Sequence, residues 1–252
     1  MPAYLRADIG RFTRLERDAW RLDLDAIETA IRPGVRLVVL TDLHNPSSAL
    51  AGEGEIAAVA RAAAKVGASV LVDEVYLELM FRGAAARTAF RPDGNVIVTS
   101  SLTKAYGLSG LRCGWILAPR HLAERTRRLN DLYASLPPHI AERLSVTAFD
   151  RLDALRTRAN ALIDANRAAY REILGANPHL DQTLFDQGST VFPRLMEGDA
   201  DAFFDRIMTR FETSVVPGRF FGRPDHFRVG LGGDVAMTRT GLERLAEALA
   251  NP

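Results

Sequence analysis

Short apolar segments alternate with longer amphipathic ones along the first half of the chain. The segments 35–40, 69–73 and 96–99 are nearly unbroken apolar runs rich in valine, which is typical of buried strands. Between them, apolar residues at helical spacing predict helices over 23–31 and 53–66. Strands that alternate with helices in this way indicate an α/β fold, with a mostly parallel sheet and helices on both of its faces.

The pattern changes after Pro119, where longer helical segments begin. Helices are predicted over 119–133, 139–148 and about 150–174. Further along, the pattern predicts short strands near 190–195, 213–216 and 226–231, and helices near 199–211 and 236–249. We therefore predict two units, a large α/β domain over 1–150 and a smaller C-terminal α+β domain over 151–252 that includes the long connecting helix.

The composition is that of an ordinary globular protein, and it narrows the function classes. Hydrophobic residues make up 47% of the 252 residues and charged residues 25%, which excludes a disordered chain or a collagen-like fibre. No apolar run reaches the ~18–20 residues of a membrane span, and the first residues show no secretory signal. The single cysteine, Cys113, can form no internal disulfide, which predicts a cytoplasmic location. A formal net charge of +1 offers no strong field for nucleic acid or a membrane.

Lys104 is the first candidate for chemistry, because the chain has only one other lysine, Lys65, among its 32 lysines and arginines. Lys104 follows a predicted strand, where ligands bind in sheets of this kind, and a lysine can form an imine where an arginine cannot. Ser101 and Arg112, on either side, could donate to a phosphate. This pattern suits a cofactor with an aldehyde and a phosphate. The alternative is a surface loop with a solvated lysine.

Asp73 is the last residue of the predicted strand 69–73, and Tyr76 and Asn45 lie a few residues beyond predicted strands. The Asp73 carboxylate could keep a pyridine nitrogen protonated, or it could be a helix cap or a structural ion pair. The Tyr76 hydroxyl could donate to a phenolate oxygen, or the ring could serve packing alone. Asn45 precedes a proline, so it could equally belong to an ordinary turn. His44 has no second histidine at metal spacing, so we interpret it as structural and predict no metal site.

Five motifs, taken together and in this order, resemble the class I/II aminotransferase family of fold-type-I pyridoxal-phosphate-dependent enzymes. The motifs are HNPSS at 44–48, VLVDEVY at 70–76, SLTKAYGLSGLRCGW at 101–115, VVPGRFFG at 215–222 and FRVGLGG at 227–233. They span nearly all of the chain. The resemblance implies pyridoxal 5′-phosphate as the cofactor, and the transfer of an amino group from an α-amino acid to a 2-oxo acid.

The resemblance also implies roles for individual residues. Lys104 would form the internal aldimine with the cofactor and then move a proton at the substrate Cα. Asp73 would hold the pyridine nitrogen. Asn45 and Tyr76 would contact the 3′ oxygen of the ring and help to set the aldimine pKa.

The same resemblance implies which residues bind anions. Ser101 and Arg112 would bind the cofactor phosphate. Arg228 would bind the substrate α-carboxylate, a bidentate role that lysine fills poorly. Taken without the resemblance, Arg228 is an ordinary strand arginine. Ser48 stands where the family usually has glycine, which alters the loop without touching the chemistry.

Members of this family are usually longer, so we expect an N-terminal part of the large domain to lie outside this sequence. No residue in 1–22 matches the family's phosphate-binding helix or the aromatic residue that stacks on the cofactor ring. The resemblance implies a homodimer, and neither nucleic acid nor a membrane is expected as a partner. A β-lyase or decarboxylase on the same fold, a non-catalytic sensing domain and an inert remnant remain as alternatives.

Overall fold

The computed structural model of the chain describes residues 6–80, 87–133 and 136–251. Its helices are α1 (Leu24–Ala30), α2 (Glu53–Lys65), α3 (Arg120–Tyr133), α4 (His139–Phe149), α5 (Leu152–Leu174), α6 (Ala200–Arg210) and α7 (Val235–Ala250). Its strands are β1 (Leu37–Thr41), β2 (Ser69–Asp73), β3 (Val96–Ser101), β4 (Gly114–Leu117), β5 (Leu180–Asp181), β6 (Thr190–Val191), β7 (Arg194–Leu195), β8 (Val216–Pro217) and β9 (Phe227–Gly230). Within the described ranges, no helix is long and apolar enough to cross a membrane.

The first four strands form one sheet, in the spatial order β1-β2-β3-β4. β1, β2 and β3 are parallel, and β4 pairs with β3 in the antiparallel direction. Each parallel strand is one of the valine-rich runs, since β-branched side chains pack well on a buried pleated surface. The predicted α/β fold with a mostly parallel sheet is confirmed.

Helices α1 and α2 pack on one face of this sheet. Ile27 of α1, Val59 of α2 and Val70 of β2 belong to one hydrophobic core and are at most 1% exposed. On the opposite face of the edge strand β1, Leu37 and Val39 are 49% and 53% exposed. The edge strand β1 therefore has a packed helical layer on one face and solvent on the other.

Helix α5 leads from the first sheet to the C-terminal half of the chain. In that half, β6, β9 and β8 form a three-stranded antiparallel sheet, and β5 pairs with β7. Tyr170 of α5, Phe203 of α6 and Leu245 of α7 share a hydrophobic core with Leu102, which follows β3. This core joins the C-terminal half to the loop that carries Lys104. The division into two domains at residue 150 stays a prediction.

The short strands of the C-terminal half differ in detail from the prediction. The strand expected near 190–195 is two strands, β6 and β7, because Pro193 between them has no amide hydrogen with which to continue a ladder. The strand expected near 213–216 begins only at Val216. β5 has two residues and was not predicted, since so short a segment carries no periodic signal.

Candidate functional site

The carboxyl ends of β1, β2 and β3 bring the candidate residues to one edge of the sheet. Thr41 aligns with Asp73, and Asp73 aligns with Thr99, on strands that lie about 5 Å apart. Because β4 runs the opposite way, its first residue, Gly114, pairs with Ser101 at the end of β3. The loops that leave this edge carry four further predicted site residues, namely Asn45, Tyr76, Lys104 and Arg112.

Lys104 lies in the loop after β3, and its side chain is exposed. The Lys104 Nζ atom is 5.9 Å from the centroid of the Tyr76 ring. On either side of the lysine the loop is anchored by buried residues, since Leu102 is 0% and Tyr106 1% exposed. The Tyr106 hydroxyl also donates to the carboxylate of Glu78. A firmly anchored loop thus presents the amine beside Tyr76.

Asp73 is the last residue of β2 and is half-buried. Its Oδ1 atom accepts a hydrogen bond from the amide of Val75 at 3.2 Å. Among the residues that the structure describes, Asp73 makes no ion pair. A half-buried carboxylate in this state is suited to a cationic ligand group such as a protonated pyridine nitrogen.

Ser101 and Arg112 flank the connection between β3 and β4. The Ser101 hydroxyl oxygen accepts a hydrogen bond from the amide of Thr103 at 3.2 Å, which leaves its proton for another acceptor. The Arg112 guanidinium is exposed, and its Nη1 atom lies 3.5 Å from the carbonyl oxygen of Ser109. Arg112 forms no ion pair with any described residue. A hydroxyl donor and an available guanidinium at one edge can hold a phosphate.

Asn45 and Arg228 meet although 183 residues separate them. The Arg228 Nη1 atom donates to the Asn45 Oδ1 atom at 2.7 Å. The Arg228 guanidinium also lies 5.1 Å from the centroid of the Phe221 ring, and the backbone N–H of Asn45 donates to the Thr41 hydroxyl at 3.2 Å. The C-terminal half thus places a half-buried guanidinium at the end of β1, where it can bind a carboxylate.

The loop 44–48 is held in place by its own side chains and by the C-terminal half. His44 Nδ1 lies 2.7 Å from the Ser47 hydroxyl, and burial, together with the nearby charge of Arg14, lowers the pKa of His44 to about 3. His44 is therefore neutral, in agreement with a structural role. The Ser48 hydroxyl lies 2.9 Å from both the carbonyl and the hydroxyl oxygen of Thr190.

Two buried carboxylates behind this edge were missed by the sequence analysis. Asp42 follows β1, is 0% exposed and accepts the amide of Ala51 at 3.0 Å; Glu74 follows β2 and accepts the amide of Ala89 at 2.7 Å. Arg87 lies between the two, 3.5 Å from the Asp42 carboxylate. Burial raises the pKa of both carboxyls. The available signal was their position two residues after an apolar run, behind Thr41 and Asp73 respectively.

An open cleft of about 690 Å³ begins at this edge. Its walls are residues 9–14, the loop 44–46 and residues 219–223, with Trp20 and Phe192 between them. We call it the arginine cleft, because its lining includes Arg11, Arg14, Arg219 and Arg223. Asn45 lines the arginine cleft, whereas Lys104 and Asp73 lie outside it. The sequence analysis did not identify these arginines.

Comparison with known proteins identifies relatives over almost the whole chain. The family model for aminotransferase class I and II matches residues 4–249. Capreomycidine synthase of Streptomyces vinaceus is 31% identical over 230 residues, which are 90% of this chain and 59% of that protein. The arginine–pyruvate transaminase AruH of Pseudomonas aeruginosa is 29% identical over 244 residues, which are 91% of this chain and 60% of that protein.

The fold has relatives among solved structures. A PLP-dependent aminotransferase from Streptococcus suis superposes with a TM-score of 0.89 and 22% sequence identity, over 99% of this chain and 66% of that one. This likeness shows the fold. The chain spans about three fifths of the length of the two curated relatives, at 59% and 60%.

Proposed function

Because the chain belongs to the class I and II aminotransferase family, whose expected cofactor is pyridoxal phosphate, we propose that it transfers an amino group from an α-amino acid to a 2-oxo acid. The observation that carries this proposal is the convergence at one sheet edge. Lys104, Asp73 and the Asn45–Arg228 pair all lie at the carboxyl ends of β1 to β3. An amine, a carboxylate with no ion pair among the described residues and a carboxylate-binding guanidinium are the groups that this reaction needs.

Each group has a separate task in this proposal. When bound, pyridoxal phosphate supplies an electron sink that makes the substrate Cα–H bond acidic. The Lys104 amine holds the cofactor covalently and moves the proton at Cα. The Asp73 carboxylate holds the ring nitrogen in its protonated form. Asn45 and Tyr76 orient the ring through its 3′ oxygen.

The remaining groups bind anions. Ser101 and Arg112 hold the phosphate through a hydroxyl proton and a guanidinium. Arg228 orients the substrate through its α-carboxylate, with Asn45 fixing one edge of the guanidinium at 2.7 Å. We further propose a cytoplasmic homodimer, on the family resemblance and the single cysteine Cys113.

The reaction on this site has two other candidates. One curated relative is named a synthase rather than a transaminase, so the names of relatives at this level of identity do not point to a single reaction. A β-lyase or decarboxylase would use the same anchoring residues and differ in its products. We favour transamination, because the matched family model and AruH both carry that activity in their names.

The test is reduction with borohydride after incubation with pyridoxal phosphate, followed by peptide mapping. We expect one pyridoxyl label on Lys104, and its loss in Lys104→Ala. Lys65 is the internal control, because it is exposed at the end of α2 and its Nζ lies 2.8 Å from the carboxylate of Glu28 on α1. No label, or equal labelling of both lysines, would refute the cofactor site. Release of ammonia or carbon dioxide in place of an exchanged amino group would favour the other two reactions.

A further inference from the structure

Lys104 and Tyr76 each begin a short turn, and the two turns are closed in the same way. In the first turn, the carbonyl oxygen of Lys104 accepts a hydrogen bond from the amide of Gly107 at 3.3 Å. In the second turn, the carbonyl oxygen of Tyr76 accepts a hydrogen bond from the amide of Leu79 at 3.2 Å. A bond between the first and the fourth residue is the usual closure of a four-residue turn. Each turn therefore begins with a residue of the proposed cofactor site.

The third residues of the two turns, Tyr106 and Glu78, are bonded to each other. The Tyr106 hydroxyl donates to the Glu78 carboxylate. Tyr106 is 1% exposed, and its burial, followed by the bond with Glu78, raises its pKa, so the hydroxyl keeps its proton and remains the donor. Because the acceptor is a carboxylate, this bond is stronger than one between neutral groups. It joins the two turns at matching positions.

The two turns also share a hydrophobic core. Leu102 and Leu79 are 0% and 2% exposed and belong to the core of the C-terminal half, and the ring of Tyr76 packs against it. Hydrophobic burial is non-directional, whereas a hydrogen bond fixes both a distance and an angle. The core therefore holds both turns against the protein, and the Tyr106–Glu78 bond sets the position of one turn along the other.

We propose that Tyr106 and Glu78 are positioning residues, whose bond sets the register of the two turns and so holds the Lys104 amine beside Tyr76. The Lys104 Nζ atom lies 5.9 Å from the centroid of the Tyr76 ring. The lysine side chain is exposed and has a flexible stem, so the place of its amine depends on the place of its backbone. This inference rests on the proposed function for the roles of Lys104 and Tyr76. Tyr106 is buried and acts through Lys104.

Tyr170 offers a matched control in the same hydrophobic core. It is 0% exposed, and its hydroxyl donates to the Oε1 atom of Gln182 at 2.7 Å. Tyr170→Phe therefore removes one hydroxyl and one hydrogen bond from the same core, but the bond involves neither turn. A loss that arises from positioning should appear in Tyr106→Phe and be absent from Tyr170→Phe.

The first measurement is the rate at which borohydride traps pyridoxal phosphate on Lys104 in the full chain. We expect Tyr106→Phe and Glu78→Met to lower this rate about tenfold or more, because a small misplacement of a reacting group costs a large factor in rate. Glu78→Gln keeps a side-chain oxygen that accepts the Tyr106 proton, so its rate should return close to that of wild type. Tyr170→Phe should match wild type, and the label on Lys65 should be the same in every variant.

The second measurement needs no cofactor. The chain has only two lysines, so lysine labelled with ¹³C at its ε carbon gives two signals in a proton–carbon correlation spectrum. We expect the ring current of Tyr76 to displace the Lys104 signal, and Tyr76→Leu measures that displacement. Tyr106→Phe and Glu78→Met should remove most of the displacement. Tyr170→Phe should keep it.

A labelling rate or a Lys104 signal that Tyr106→Phe leaves unchanged would overturn the proposal. An equal loss in Tyr106→Phe and Tyr170→Phe would also overturn it, because the core as a whole, and not the bond between the turns, would then hold the lysine. Failure of the proposed function is a different result, namely no label on Lys104 in wild type. The Lys104 signal then decides by itself whether the pair sets the position of the amine.

Discussion

Ser48 occupies a backbone conformation that favours glycine. Its φ of 68° lies in the left-handed region, which costs a non-glycine residue about 1 kcal/mol or more. Its hydroxyl lies 2.9 Å from two oxygens of Thr190, so hydrogen bonding offsets this strain. Gly188 approaches so closely that a Cβ atom there would lie 2.3 Å from the Ser48 hydroxyl oxygen. The Ser48 side chain thus joins the loop 44–48 to the C-terminal half.

Two substitutions separate the strain from the hydrogen bonds. We expect Ser48→Ala to lower the free energy of unfolding by about 1–2 kcal/mol, because it loses the bonds and keeps the left-handed φ. Ser48→Gly loses the same bonds but relieves roughly 1 kcal/mol of backbone strain, so it should be the more stable of the two. Equilibrium unfolding in urea measures both. A glycine variant less stable than the alanine variant would contradict this account.

Helix α5 is hydrogen-bonded to the segment 185–188, which contacts the loop 44–48. Arg167, which is 7% exposed, donates to the carbonyl oxygens of Phe185, Gln187 and Gly188 at 3.1, 2.9 and 2.6 Å. Gln187 in turn donates to the carbonyl of Ser48 at 3.4 Å. The buried Arg167 side chain therefore fixes the position of the segment 185–188, which in turn supports the loop that carries Asn45.

Removal of this guanidinium should be costly. We expect Arg167→Met to lower the free energy of unfolding by about 2–4 kcal/mol, since it leaves buried carbonyl groups without their donors. The matched control is Arg171→Met, one turn later on α5, which removes an exposed ion pair with Asp186 and should cost about 1 kcal/mol or less. Urea unfolding compares the two variants. Equal losses would show that the three carbonyl contacts contribute little.

Local patterns predicted elements better than they predicted contacts between elements. The valine runs predicted β1 to β3. The polar residues at the ends of these runs predicted a site at the carboxyl edge of the sheet, where Asp73 lies. The contact between Asn45 and Arg228 spans 183 residues, so no local pattern could reveal it. The resemblance indicated a role for each of the two, without showing that they touch. Arg167 looks like any other arginine of an amphipathic helix, because burial depends on packing that the helix alone does not determine.

Over the whole molecule, buried charges connect distant parts of the chain. Asp42 and Glu74 follow two strands, Arg87 precedes β3, and Arg14 lies near the start of the chain. Arg87 is within 3.5 Å of Asp42, and Arg14 feels the charge of the same carboxylate. Burial of two acids in one region costs free energy when both are ionised, because each disfavours the charge of the other.

This arrangement predicts the sign of a pH effect on stability. Burial raises the pKa of Glu74 above its unfolded value of 4.5, so the folded protein binds a proton at a higher pH than the unfolded chain does. The stabilising contribution of Glu74 is therefore fully present below about pH 4.5 and is lost as the pH rises through the raised pKa. Urea unfolding between about pH 5 and 8 should show wild type gaining stability relative to Glu74→Gln as the pH falls. Glu28→Gln is the control. The hydrogen bond from Lys65 lowers the pKa of Glu28, so wild type should lose stability relative to this variant as the pH falls. A difference between wild type and Glu74→Gln that does not change with pH, or that shrinks on acidification, would show that Glu74 is ionised at little cost in the folded protein.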